Sequence, residues 1–472
     1  MNVNQKPLIM FASVFLALAN LSSSAIYATE QPNIVFIFAD DLGWGDISCH
    51  GAEEWLKTPH IDRLASEGMD FSQFNVLSPV CSSSRAAMLT GRYSFRYSIH
   101  YALHSDPSQN QRINQADWLD PRAPTLPRCL KTAGYRTAHI GKWHLGEGEP
   151  HTPGGPTMAD YGFDDSLVYH GPGPKVNQRN IGVEGARAIE RMQSQQPFYL
   201  NVWLHETHVK HFPSKQSMDA FKQLDPRRQV YAATLRECDN NVGMILDALK
   251  KFGLEQNTIV MFSSDNGPAI APASTQGRGP MPEDGNVRQG FGSYYSVGST
   301  GGLRGHKAQL FEGGVRTPFI VRWPGHVPPG VKNDRTVFTA IDMMPTICAA
   351  ARVKHPDGYS GDGENLLAAF EGKSVQRTKP LFWKASSVGR ATDSWCQWSM
   401  REGDWKLYAD AEAKRVELFD LSKDRGEASD VSKENRRIVR QMKKQLLDWV
   451  ATLPTSPDPA CVSKAPPDKS HP

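Results

Sequence analysis

The sequence has little excess charge, few long hydrophobic runs and no crowding of its cysteines. Its 53 Lys+Arg against 50 Asp+Glu leave a formal net charge of +3 over 472 residues. No field strong enough to hold a polyanion arises from that total, so a nucleic-acid partner is not expected, while local cationic pockets remain open. Beyond the N-terminal segment there is no long apolar stretch, which argues against a membrane-spanning helix. No two cysteines stand at a zinc-ligand spacing, and no internal repeat is found.

The N-terminus is organised for targeting. Lys6 precedes an apolar run from Leu8 to Ala19, and small residues follow to Ala25 or Ala28, the layout of a secretory signal peptide. Residues 1–28 are therefore expected to be removed, and the remainder to be exported, periplasmic or extracellular, without stable membrane insertion. No cysteine lies beside the expected cleavage point to take a lipid. Seven cysteines, at 49, 81, 129, 238, 348, 396 and 461, are an odd number for an oxidising compartment. One is expected to be unpaired or chemically used, and the pairing of the others stays open.

The length exceeds what one hydrophobic core usually serves, so a large domain over residues 29–355 and a smaller one over 356–472 are expected. In the first, buried strand patterns alternate with helical ones. Asn33 to Phe38, Tyr135 to Ile140, Pro197 to Leu204, Thr258 to Phe262 and Phe319 to Arg322 read as strands. Thr58 to Gly68, Leu126 to Thr132, Val183 to Gln193 and Arg228 to Phe252 read as helices. The alternation predicts an α/β fold, a doubly wound, mixed but mostly parallel sheet sandwiched by helices. The Pro- and Gly-rich stretch from His151 to Asn180 is expected to form irregular loops, and the stretch from Gly267 to Gly302 a long loop over a site. Beyond residue 355, four short strand patterns and a charged helix from about Lys433 to Leu453 predict a small antiparallel sheet plus helix. The tail after Pro454 reads as disordered.

The chemistry-bearing residues collect where strands end. Asp40 and Asp41 follow the first strand, Lys142 and His144 another, His205, His208 and His211 a third, and Asp265 and Asn266 a fourth. Open α/β sheets bind ligands at such ends. Paired carboxylates call for a cation, although a turn-capping pair reads equally well at Asp40 and Asp41. The oxygen donors suit calcium or magnesium better than zinc. Arg85, Lys142, Lys307, His144 and His208 are candidate donors to an anion. Cys81 stands four residues before Arg85, one helical turn away, and is either a nucleophile or an ordinary buried cysteine. Three histidines within seven residues suit a metal tract or acid/base work equally well, while His205 and His211 read more readily as surface histidines, and Glu312 with Arg316 as a structural ion pair.

These pieces closely resemble the formylglycine-dependent sulfatases of the alkaline phosphatase superfamily. The match lies in Asp40 Asp41, Cys81 to Arg92, Gly141 to Gly146 (GKWHLG), Thr207 His208, Ser264 to Gly267 (SDNG), Lys307 and Phe311 to Pro318 (FEGGVRTP), in the family's order. The resemblance implies that a formylglycine-generating maturation enzyme oxidises Cys81 to formylglycine, whose hydrate is the nucleophile. It further implies that Asp40, Asp41, Asp265, Asn266 and the modified Cys81 hold one calcium ion. Arg85, Lys142, His144, His208 and Lys307 would then act on a sulfated small molecule or glycan, with His208 as general acid and His144 as the base that regenerates the aldehyde. One residue departs from the pattern: the family's modification motif has Pro or Ala two residues after the cysteine, and Ser83 stands there. Two rivals follow, a phosphomonoester or phosphodiester hydrolase of the same superfamily and a sulfated-glycan-binding protein that never matures.

Overall fold

The computed structural model describes Met1 and residues 31–146, 155–169, 180–193, 196–272, 290–356, 358–385 and 395–464. The expected signal segment lies outside the described residues. The strands, in chain order, are β1 (Asn33–Ala39), β2 (Met69–Phe71), β3 (Phe74–Asn75), β4 (Arg136–Lys142), β5 (Asp165–Tyr169), β6 (Phe198–Trp203) and β7 (Thr258–Ser264). They continue with β8 (Phe319–Arg322), β9 (Val331–Asn333), β10 (Phe338–Thr339), β11 (Leu381–Lys384), β12 (Trp398–Glu402), β13 (Trp405–Ala409) and β14 (Val416–Asp420).

An eight-stranded sheet runs in the order β5-β4-β6-β1-β7-β8-β2-β9. The five strands from β5 to β7 are parallel, β8 is antiparallel to both β7 and β2, and β2 is parallel to β9. β1 is buried along its whole length, which is why it reads as an unbroken apolar run. Its side chains still divide by period two. Ile34, Phe36 and Phe38 join a core with the Cys81–Thr90, Leu126–Lys131 and Met343–Ala350 helices, whereas Val35, Ile37 and Ala39 join one with the Pro59–Ser66, Ile181–Met192 and Pro226–Lys251 helices. Helices therefore cover both faces, as the alternating pattern predicts. The four-stranded antiparallel sheet β11-β12-β13-β14 packs its Trp383, Met400, Leu407 and Leu418 into the first of these cores, together with Met442 and Leu446 of the Arg436–Val450 helix.

Two expectations need correction, and two short strands of the main sheet escaped the sequence reading. The segment read as irregular loops contains β5, which extends the sheet beyond β4. Its half-buried DSLVY run has only its last residue buried, so its pattern is weak among the surrounding Pro and Gly. β2 and β9, of three residues each, carry too few positions for a period-two signal. The chain after Pro454 is not disordered over the described residues. Asp117 N donates to Cys461 O at 2.8 Å, Ser463 N donates to Asp117 Oδ2 at 2.7 Å, and Cys461 is buried. Hydrogen bonds hold this tail down, and composition does not register them.

Candidate functional site

The parallel order β4-β6-β1-β7 brings four carboxyl-terminal strand ends to one edge of the sheet. β1 delivers Asp40 and Asp41, β4 delivers Lys142 and His144, β6 delivers His205 and His208, and β7 delivers Asp265 and Asn266. The Cys81–Thr90 helix presents its first residue to the same place: Cys81 Sγ lies 3.5 Å from Asp40 Oδ1. Arg85 follows one turn later. Its Nε and Nη2 both reach Asp265 Oδ2, at 3.0 and 2.6 Å, and its Nη2 lies 3.5 Å from Asp40 Oδ2. The guanidinium also lies over the Trp203 ring at 5.0 Å and the Phe38 ring at 5.5 Å, so a planar cation is packed as well as paired.

Lys142 Nζ donates to Asp40 Oδ2 at 2.7 Å, and Lys307 Nζ donates to Asp41 Oδ2 at 2.6 Å. Asn266 Nδ2 donates to Asp41 Oδ1 at 2.7 Å, and Asp41 N donates to Asp265 Oδ1 at 3.2 Å. His208 Nε2 stands 3.8 Å from Asp41 Oδ2, with its Nδ1 2.5 Å from Val209 O. His144 Nε2 is held 3.0 Å from Leu103 O, and its buried Nδ1 has no hydrogen-bond partner among the described residues. Asp41 and His144 both sit at φ 58°, a left-handed conformation that costs a non-glycine residue about 1–2 kcal/mol. Gly267 lets the SDNG and FEGG segments meet, since a Cβ there would lie 1.9 Å from Gly313 O. Its N–H donates to Gly314 O at 2.9 Å.

Asp40, Asp41, Cys81, Arg85, Lys142, His144, His208, Asp265, Asn266 and Lys307 all lie in or against this cluster. His205 belongs to it as well. It is no surface histidine: its Nδ1 is 2.5 Å from Asp40 Oδ2 and its ring stacks on His208 at 4.6 Å. Its place at a parallel strand end, three residues before His208, was the available signal. Thr207 Oγ1 donates to Asp40 O at 2.5 Å, which accounts for the threonine beside His208. His211 is buried away from solvent with its Nε2 3.0 Å from Ser296 Oγ, correcting its surface reading as well. Glu312 and Arg316 do form a buried ion pair at 2.5 Å, which Lys406 of β13 joins.

The electrostatics follow from crowding. Asp40, Asp41 and Asp265 face Arg85, Lys142 and Lys307, so the charges balance before any ion is added. Burial alone would push Asp40 up, but Lys142, His208, His205 and Arg85 hold it well below the usual carboxylate range. Burial, with Asp40 as a like-charged neighbour, pushes Asp41 and Asp265 up. A further cation would relieve this. Asp40, Asp41, Cys81 and His208 each offer a ligand atom within 4.8 Å of the others, and the buried Asn266 Oδ1 has no hydrogen-bond partner among the described residues. This oxygen-rich set fits a hard divalent ion. Burial and then Asp265 drive the Cys81 thiol up, so an unmodified Cys81 is a neutral, weak nucleophile here. Burial, reinforced by neighbouring lysines, keeps His144 and His208 neutral.

Comparison with known proteins agrees with this arrangement. The sulfatase family model matches residues 32–353, and the model of the N-sulphoglucosamine sulphohydrolase C-terminal region matches residues 305–452. The N-acetylgalactosamine-6-sulfatase of Canis lupus familiaris is 30% identical over 78% of this chain and 72% of its own length. The N-acetylgalactosamine-6-O-sulfatase of Bacteroides thetaiotaomicron is 27% identical over 90% of this chain and 94% of its own. Among solved structures, that of Ps i-CgsB in complex with k-i-k-neocarrahexaose superposes with a TM-score of 0.74 at 25% identity, covering 89% of this chain and 93% of that one. A mostly parallel sheet whose strand ends gather carboxylates, lysines and a cysteine, read together with these matches, makes the chain a member of the sulfatase family and a sulfuric ester hydrolase.

Proposed function

We propose that this sulfatase is exported and removes sulfate from carbohydrate esters, using an oxygen nucleophile made from Cys81 and one calcium ion. The observation that carries the reading is the contact of Cys81 with Asp40 at the convergence of four strand ends. The thiol sits where the nucleophile is needed, in surroundings that suppress its own reactivity. The carbohydrate class is supported by the names of the curated relatives and by the oligosaccharide bound in the structural neighbour.

The residues divide the work by position. Asp40, Asp41, Asp265 and Asn266, with the modified side chain at 81, would hold the ion. The ion supplies positive charge to the sulfuryl oxygens, and the hydrated formylglycine supplies two geminal hydroxyls, one to attack and one to be deprotonated later. Lys142 and Lys307, now spread over Asp40 and Asp41, offer their remaining N–H bonds to the sulfuryl oxygens, where charge grows at the transition state. Arg85, fixed by Asp265 and the two aromatic rings, orients the side chain at 81. Asp265 accepts the proton of the attacking hydroxyl. His208 presents Nε2 to the leaving oxygen. Being neutral in the free protein, it takes up its proton when the anionic substrate arrives, and then delivers it to the departing alkoxide. His144 is neutral and has Nδ1 open, so it removes the proton from the second hydroxyl and sulfate departs.

The test is mass spectrometry of the peptide containing Cys81 from protein collected after export, paired with sulfate release from a panel of sulfated sugars that includes 6-O-sulfated N-acetylgalactosamine. The expected result is a mass 18 Da below that of the thiol form, to the order set by replacing a CH2–SH group with an aldehyde, together with release dependent on calcium. An intact thiol alongside sulfate release would overturn the nucleophile. Release from aryl sulfates with none from any sugar would overturn the substrate class.

A further inference from the structure

The candidate site uses one of seven cysteines. Two others meet in the core that the Cys81–Thr90 helix helps to build. Cys129 on the Leu126–Lys131 helix and Cys348 on the Met343–Ala350 helix are both buried, and their Sγ atoms are 3.2 Å apart although 219 positions separate them in the chain. Nearby, the ring nitrogens of His355 complete a group of three potential metal ligands, and Lys354 O lies 3.4 Å from Cys129 Sγ. A tetrahedral zinc ion would hold two thiolate sulfurs about 3.7 Å apart at its usual bond length. The sulfurs are already closer than that. They need only to approach further to reach bonding distance.

We propose that Cys129 and Cys348 are a modification site and form a disulfide in the exported protein. The reaction is thiol–disulfide exchange with an oxidised dithiol of the export compartment. The Cys129 thiolate attacks one sulfur of that disulfide and expels the other as a thiolate. The Cys348 thiolate then attacks the Cys129 sulfur of the mixed disulfide and expels the second, so two electrons pass to the oxidant and the two protons leave to solvent. Because both sulfurs are buried in the folded chain, exchange precedes the docking of the two helices, and packing then shields the bond.

The position of this bond gives it a consequence. The Met343–Ala350 helix packs on the Cys81–Thr90 helix. Shortly after it, Tyr359 Oη donates to Thr90 O at 3.0 Å and lies 3.3 Å from Gly91 O, clasping the end of the helix that starts with Cys81. The His355 ring lies tilted against that of Tyr359, with centroids 5.1 Å apart. A bond between Cys129 and Cys348 therefore secures the segment that holds the helix bearing the nucleophile. It depends on oxidation and not on the sulfate chemistry.

Protein collected after export, alkylated at once and digested without reductant tests this. A peptide pair joined through 129 and 348 is expected, two hydrogens lighter than its parts and separated by reduction. Alkylation of both sulfurs in the unreduced protein would overturn the proposal. So would a stoichiometric metal, found with both thiols free, that is lost in His355→Ala. The thermal midpoint gives an independent reading. Reductant should lower it by about 5 °C in the native chain, given the long loop closed. It should leave Cys129→Ser/Cys348→Ser unmoved, and an equal response in that variant would also overturn the proposal. The same digest reports the state of Cys81 separately, so loss of one reading is not mistaken for loss of the other.

Discussion

At the scale of single residues, Arg85 shows how much of the site depends on shape as well as charge. Its guanidinium bonds Asp265 through two nitrogens while lying over two aromatic rings. Lysine keeps the charge and loses both features. Arg85→Lys is therefore expected to lower kcat/KM about 100-fold or more, the scale of losing one oriented donor, while the protein still folds. Near-native kcat/KM in that variant would show that charge alone suffices. Ser83 poses a different question. It is the third residue of the Cys81–Thr90 helix, ahead of Ser84, whose N–H donates back to Val80 O at 3.3 Å. N–H groups in a helix's first turn have no partner inside the helix, so a proline ring there removes no helical bond. What Ser83→Pro does remove is the hydroxyl's 3.3 Å bond to Ile99 O, a loss of about 1 kcal/mol. The variant should fold, and peptide mass spectrometry should find Cys81 converted at least as fully as in the native chain. A fall in conversion would mean that the maturation step reads the serine itself.

At the scale of elements, the small C-terminal sheet is held to the large one by buried charge. Lys406 of β13 reaches Glu312 Oε1 at 2.5 Å and Leu310 O at 3.3 Å, and Glu312 also accepts from Arg316. Burial would raise Glu312, yet Arg316 and Lys406 hold it well below the usual range, so it stays ionised. Removing one partner strands buried charge at a cost of about 3–5 kcal/mol. Arg316 remains to share the load in Lys406→Ala, so the expected loss is about 3 kcal/mol by denaturant unfolding, and a loss under about 1 kcal/mol would place the anchor elsewhere. The elements themselves were largely legible. β1, β6 and β7 are buried on both sides and so are apolar over most of their length, and the polar residues just past them stood out by contrast. Adjacency was not legible. That residue 205 meets residue 40 depends on β6 lying beside β1, a long-range pairing with no local signature, and so His205 passed for a surface histidine. The three-residue strands and the docked tail escaped for the opposite reason: backbone hydrogen bonds place them, with too little apolar periodicity to read.

At the scale of the whole molecule, buried ionisable groups outside the catalytic set shape how stability responds to pH. Burial pushes Glu206 up to about 8 and Asp46 up to about 7. Both carboxyls are enclosed by donors, Glu206 by Asn241 Nδ2 at 2.5 Å and Asp46 by Tyr231 Oη at 2.7 Å. Because their pKa is higher in the folded chain than in the unfolded one, the folded state binds the extra protons, and stability rises as pH falls from about 8 to about 4, where the unfolded carboxyls protonate too. The histidines act in the opposite sense. Burial pushes His100 and His139 down to about 3 and His211 down to about 4. Below their ordinary pKa near 6.5 the unfolded chain takes up protons that the folded chain refuses. Each then removes about 1.4 kcal/mol of stability per pH unit until its folded value is reached. The carboxyls act against the histidines over this same range, because the unfolded chain keeps its carboxyls ionised until about pH 4. Glu427 and Asp239, which burial also pushes up, to about 7 and about 6, add to that opposition. The share of one histidine is therefore read from its substitution and not from the overall profile. His139 has no hydrogen-bond partner at either ring nitrogen among the described residues and packs edge-on against Trp143 and Trp203. His139→Phe is accordingly expected to fold and, by denaturant unfolding, to gain about 1.4 kcal/mol on the native chain for each pH unit between about 6.5 and 4.5. A difference between the two proteins that stays constant over that range would mean that the folded chain does not resist protonation at His139.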